Sequence, residues 1–311
     1  MTWRPAAGWQ PLTSGTGQSN VGVWRTPEGW VVKRLVPGVD NPRHHAYWRR
    51  QPLLAESRLL EATPGLRSPT CLKVEWDEGG ATIWTAEVSP ATDAAASPAA
   101  NGRSPGAGDP LFLAVALGRF AQAHVPEPSW GARDVLRDRL ATVAGRGGWG
   151  ALDPELPADL RHVVRDLWVR RDAALAELDA LPRVPTHGDA HPGNLIGRDG
   201  EDVIAIDWEQ FGLAPTGFDL GYLILAVDLP LDDLLAAYAL ADRPPNGEQE
   251  PSNRMTAANL HAVRRGAVLT AAYTAISRAA WSLTQPDPGD HLTRLLHLSN
   301  LIAEANGEPT R

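Results

Sequence analysis

The chain has 311 residues, 43 % of them hydrophobic, and a formal net charge of −8. That is enough apolar material to bury a sizeable core, so wholesale disorder is excluded. No uninterrupted run of apolar residues is long enough to span a membrane, and the acidic balance argues against a nucleic-acid surface. The charge is uneven: residues 1–110 hold 11 Lys+Arg and 10 Asp+Glu, net +1, while residues 111–311 hold 18 and 27, net −9. A diffusible substrate of the second part is therefore expected to be a cation or a metal-bound species. Met1 to Gln10 lack the basic-then-apolar pattern of a leader peptide, and the single cysteine, Cys71, reads as a small buried side chain. A reducing location, the cytoplasm, is the expectation.

Trp9 to Leu12, Val21 to Arg25 and Gly29 to Leu35 are short, Val- and Trp-rich runs between Gly/Ser/Pro punctuation, and read as strands. Thr26-Pro27-Glu28-Gly29 is a tight turn that joins the second and third into a hairpin. Asp40-Asn41-Pro42 has the form of a helix start, with a helix expected to about Ala62 and a break or kink at Pro52. Leu72 to Trp76 and Ala81 to Val88 make a further strand pair. Residues 89–109 are almost wholly Ala, Pro, Gly and Ser and read as a flexible connector. Asp109-Pro110 opens the next helix. Helices are then expected over about 131–144, 157–181, 215–228, 230–241, 255–285 and 290–305. Within them, residues 184–213 stand apart as a small hairpin with polar residues at its mouth.

That hairpin carries the chemistry. In His187-Gly188-Asp189-Ala190-His191-Pro192-Gly193-Asn194, a carboxylate precedes an amide by five positions. Phosphoryl transfer depends on positioning and charge neutralisation, so it needs a proton acceptor for the attacking hydroxyl and oxygen ligands for a metal ion. Asp189 suits the first role, and Asn194 the second. Asp207, ending the next apolar strand, can bridge metal to phosphates. Lys33, on the third strand, is one of two lysines among 29 basic residues, which suggests a compact charge kept for phosphates. Alternation puts Val31 on its face. Trp208 and Glu209, directly after Asp207, stand where they could face the acceptor.

These motifs resemble the aminoglycoside phosphotransferase and choline kinase family, with HGDAHPGN for its catalytic loop and IDWE for its metal strand. The resemblance implies an α+β, protein-kinase-like fold of two lobes: an antiparallel sheet plus helix over 1–88, the connector 89–109, and a larger helical lobe over 110–311. It implies Asp189 as catalytic base, Asn194 and Asp207 as magnesium ligands, and ATP or GTP as donor. His187 would be structural, and Asp219 would brace a helix behind the site. Ser19 corresponds to a serine of the family's phosphate loop. Val23 and Val31 would cover the base, Ile196 and Ile206 would lie beneath it, and Thr85 to Val88 would be the hinge. Glu56 is the expected partner of Lys33, with Glu61 as competitor. The acceptor would be a small cationic molecule such as an aminoglycoside, amino sugar or amino alcohol; neither nucleic acid nor membrane is implied as a partner. Two other classes compete: a metal-dependent hydrolase using His187, Asp189 and His191, and a catalytically silent nucleotide-binding protein.

Overall fold

Half-buried alternating side chains in the first 88 residues build one sheet in the computed structural model, which describes residues 3–12, 19–88, 108–242, 256–284 and 291–307. The strands are β1 (Gln10–Leu12), β2 (Asn20–Arg25), β3 (Trp30–Leu35), β4 (Leu66–Arg67), β5 (Cys71–Asp77) and β6 (Gly80–Ala86). All but β4 form an antiparallel sheet ordered β1-β2-β3-β6-β5. The β2–β3 hairpin closes as expected, with Gly29 at φ +82° donating to the Thr26 carbonyl at 3.0 Å. Its register sets Val23 opposite Lys33. Cys71 is buried, as a small apolar side chain should be.

The first helix differs from expectation. Residues 40–49 form turns, and α1 spans only Arg50–Ser57. Asn41 caps a turn instead of a helix, its Oδ1 accepting from Arg43 N. Pro52 then falls in the first turn, where its missing N–H costs nothing, so it does not kink the helix. The two-residue strand β4 was not expected. It runs parallel to β9 (Asp202–Ala205), which pairs antiparallel with β8 (Leu195–Asp199). Gly65 makes the junction: its N–H donates to Asp202 Oδ1 at 2.8 Å, and a Cβ there would lie 2.3 Å from the Ala116 carbonyl oxygen.

Another unforeseen pair, β7 (Arg183–Thr186) with β10 (Gly212–Pro215), brackets the polar loop. The helices are α2 (Pro110–Gln122), α3 (Val135–Gly145), α4 (Ala158–Asp179), α5 (Phe218–Ile224), α6 (Leu231–Ala239), α7 (Ala257–Ser282), α8 (His291–His297) and α9 (Ser299–Ala305). Asp109 caps α2 through Leu111 N, with Pro110 at its first position. The rest of the expected connector lies outside the described residues. The helix expected from 215 starts later because 212–215 is committed to β10. Helix α7 runs through the core and packs against α5, approaching so closely that a Cβ on Gly266 would meet the Thr216 carbonyl oxygen at 1.9 Å. None of the described helices is long and apolar enough to cross a membrane.

One side chain ties these layers together. Arg50, at the start of α1, is fully buried. It donates to the carbonyls of Pro42, His44, His45, Trp130 and Glu209, and lies over the Tyr47 ring. Burial pushes its pKa down to about 10, still well above neutrality. Arg50→Met should therefore destabilise the protein by about 3–5 kcal/mol, because buried carbonyls lose a charged donor. Urea denaturation checks this, and a loss below about 1 kcal/mol would contradict it.

Candidate active site

The loop between β7 and β8 is held from behind. Gly188 sits at φ +84°, and a Cβ there would approach the Gln210 carbonyl oxygen to 2.5 Å, so only glycine fits. Asp219, in the first turn of α5, accepts from the N–H groups of His187 at 2.7 Å and Gly188 at 2.9 Å. Burial pushes its carboxyl up to about 7 against the pull of those two donors. Asp219 thus braces the loop itself, whereas the sequence suggested a helix.

His187 is completely buried against Trp208. Its Nε2 lies 2.8 Å from the Ile206 carbonyl and its Nδ1 accepts from Asp189 N at 3.2 Å. Burial lowers its pKa, so the ring is neutral with Nε2 as donor. Both nitrogens are engaged, and His191 Nε2 stands 3.9 Å from Asp189. The His187–Asp189–His191 metal cluster is therefore not assembled, which removes the structural basis for the hydrolase. Among the described residues, the side chains whose ligand atoms converge are instead His44, His45 and Asp138.

Asp189 Oδ1 accepts from Arg278 Nη2 at 2.8 Å. Burial alone would raise its carboxyl, but Arg139 and Arg278 outweigh that and hold it below the usual carboxylate range. Asn194, buried, donates through Nδ2 to the Asp189 carbonyl at 3.0 Å, which leaves its amide oxygen for another partner. Its own carbonyl accepts from Ile206 N at 2.8 Å, across the β8–β9 pair, so Asn194 and Asp207 are neighbours. Asp207 takes the left-handed conformation, φ +62° and ψ +52°, uncommon outside glycine though aspartate is among the residues that tolerate it best.

Lys33 Nζ reaches Asp207 Oδ1 at 2.8 Å and Gln51 Oε1 at 2.9 Å, and Gln51 Nε2 completes the triangle to Asp207 at 3.0 Å. The expected Glu56 plays no part: it accepts from Trp76 Nε1, while Glu61 accepts from Cys71 N. Because α1 begins at Arg50, its inward residue is 51, and Glu56, five positions on, points about 140° away. Ser19, Lys33, Gln51, Asp207 and Glu209 line one narrow cavity. Burial first, and Asp207 second, push the Glu209 carboxyl up to about 6. Oxygen donors from Asn194 and Asp207, beside crowded carboxylates, suit a hard cation such as Mg2+. Val23, Val31, Ile196 and Ile206 are half-buried and lie outside this cavity's lining. The segment expected to be the hinge meets β8 where Gly197 faces Val88, whose Cγ1 would be 2.4 Å from a Cβ on that glycine.

A second cavity, of about 970 Å³, opens from Asp189 and His191. Its wall is not the acidic one expected. Glu209 faces the other cavity, Trp208 is buried on His187, and Asp228, Asp232 and Asp233 are exposed elsewhere, Asp232 pairing with Arg264. Arg139, Arg146, Arg278 and Arg294 stand there instead. Sequence reasoning missed Arg278, since a single arginine in the apolar C-terminal half of helix α7 has no local signal.

This architecture is that of a protein-kinase-like fold. A profile described as the phosphotransferase enzyme family matches residues 8–251, and the chain belongs to that family. A choline/ethanolamine kinase family protein from Mesorhizobium loti superposes with a TM-score of 0.57 at 21 % identity, over 96 % of this chain and 90 % of that one. The GDP and kanamycin complex of APH(2″)-IIia gives 0.56 at 15 %, over 97 % and 95 %. Choline kinase from Cryptosporidium parvum Iowa II gives 0.56 at 12 %, over 97 % and 91 %. No curated protein matches the chain.

The Lys33 contacts make a discriminating prediction. Gln51→Ala should weaken Mg·nucleotide binding about tenfold, the worth of two lost hydrogen bonds, whereas Glu56→Gln should leave it unchanged. Isothermal titration of both variants checks this; the reverse order would restore Glu56.

Proposed function

We propose that this protein transfers the γ-phosphoryl group of ATP or GTP to a hydroxyl of a small molecule. The observation that carries the reading is the contact of Asn194 with both the Asp189 backbone and the strand end bearing Asp207, which sets a carboxylate beside paired oxygen donors. Asp189 would accept the hydroxyl proton, held ionised by Arg278 and Arg139. The hydroxyl oxygen bonds to the γ-phosphorus, the bond to the β–γ bridging oxygen breaks, and the nucleoside diphosphate leaves with that electron pair. Asn194 and Asp207 would hold Mg2+, which supplies charge neutralisation for the phosphates when bound. Lys33 and Ser19 would face the phosphates, with Val23, Val31, Ile196 and Ile206 around the base. The GDP of one structural relative keeps GTP beside ATP as donor. Neither nucleic acid nor membrane is required as partner, and the cytoplasm supplies both nucleotide and a reduced Cys71.

Asp189→Asn should lower turnover by about 10²–10⁴-fold while leaving Mg·nucleotide affinity nearly intact. Asp207→Ala should weaken both together. Turnover and titration calorimetry on the two variants check this. Retention of more than about a tenth of wild-type turnover in Asp189→Asn would remove the base assignment.

A further inference from the structure

We infer that the acceptor is an anion: a hydroxylated small molecule whose carboxylate or phosphate is gripped by Arg278, Arg139 and Arg146 while a hydroxyl faces Asp189. The inference rests on the phosphoryl-transfer reading and adds the substrate class to it.

The argument is a charge balance in the cavity beside Asp189. Among the described residues lining it are four arginines and one carboxylate, Asp189 itself. Arg294 is committed to structure, donating to the carbonyls of Ile224, Leu225 and Val227 at the end of α5. The other three are less fully engaged. Arg278 and Arg139 lie over the same Tyr222 ring, at 5.2 and 5.6 Å, and share the field of the same carboxylate. Arg278 takes the ion pair with Asp189. Arg139 has a hydrogen bond to Gln210 Oε1 at 3.1 Å, and its buried Nε has no partner. Arg146, the residue that caps the C-terminus of α3, follows Arg139 by seven positions, lines the same cavity and is exposed.

Among the described residues, Asp189 is the one carboxylate in the lining, and it offsets part of this charge through Arg278. Asp138 is engaged by His45, through its N–H at 2.9 Å and Nδ1 at 3.4 Å, and stands 4.0 Å from His44. The histidines lining the cavity, His44, His45, His191 and His291, are neutral or positive. A cationic acceptor would have to sit against two guanidiniums in a partly desolvated wall, an arrangement of like charges that costs binding. A carboxylate or phosphate matches the guanidinium fork with paired, charge-assisted hydrogen bonds. The cavity is large enough for a sugar-sized molecule, and Trp281, partly exposed on its wall, offers a face to a carbon skeleton.

The test is a panel matched in size: sugar acids, sugar phosphates, neutral polyols and amino sugars. Each is read by the melting-temperature shift it causes, alone and with Mg·ADP, and by ADP release with Mg·ATP. Acids or phosphates should give the largest shifts and the highest kcat/KM, and the responding arm tells carboxylate from phosphate. Arg146→Glu should reduce kcat/KM for the best anion by about 10- to 100-fold, chiefly through KM, while Arg146→Lys keeps most of it. The inference is overturned if amino sugars or polyols give the larger effects, if no anion shifts melting, or if Arg146→Glu binds the best anion as wild type does. Anion-specific melting shifts without ADP release from any compound would support the grip while overturning phosphoryl transfer, so the two readings fail separately.

Discussion

The buried guanidinium of Arg50 is the constraint on which the arrangement depends. A single charge donates to the main chain at Pro42, His44, His45, Trp130 and Glu209. Those carbonyls belong to the turn segment before α1, the loop before α3 and the residues just after Asp207. Fixing them together sets where α1 begins, and that start decides which of its residues faces Lys33. It also pins the backbone two residues beyond Asp207, whose left-handed conformation needs support from both sides. The burial of Arg50 is therefore a positional device more than a source of net stability, since desolvating a charge offsets much of what its hydrogen bonds contribute.

The two cavities, one lined by Lys33 and Asp207 and the other by Asp189, have opposite electrostatic characters. Toward Lys33 there are crowded carboxylates, with Glu209 pushed up to about 6 by burial and by Asp207. Toward Asp189 there are guanidiniums, strong enough to reverse the effect of burial on that carboxyl. A metal-bound nucleotide suits the first environment and an anion the second. Asp189 sits between them, and the loop that carries it is held by Asp219 from below and by Asn194 from the front.

Much of this was legible in the residues alone, for local reasons. The five strands of the main sheet follow from alternation and turn chemistry, and the spacing of Asp189, Asn194 and Asp207 reflects one loop and one hairpin. The three positions come together because β8 and β9 pair in the register that sets Asn194 beside Ile206. What was not legible depends on distant contacts. The strand β4 is two residues long and exists only because β9 lies beside it. Gln51 replaces Glu56 because the helix start is set by Arg50, not by the Asx-Pro signal at 41–42. The acidic balance of residues 111–311 does not carry over to its cavity, since Asp228, Asp232 and Asp233 are exposed outside the lining and Asp232 pairs with Arg264. Arg278 reaches Asp189 from 89 residues away in sequence.

The central claim is phosphoryl transfer onto a molecule that is already anionic. It can be followed by phosphorus NMR with the wild-type protein, Mg·ATP and small molecules extracted from cells, split by anion exchange into retained and unretained fractions. The account predicts a new phosphomonoester resonance growing as the γ-phosphate resonance falls, in the retained fraction. Inorganic phosphate as the only new signal besides those of ADP, or a phosphomonoester only in the unretained fraction, would contradict it.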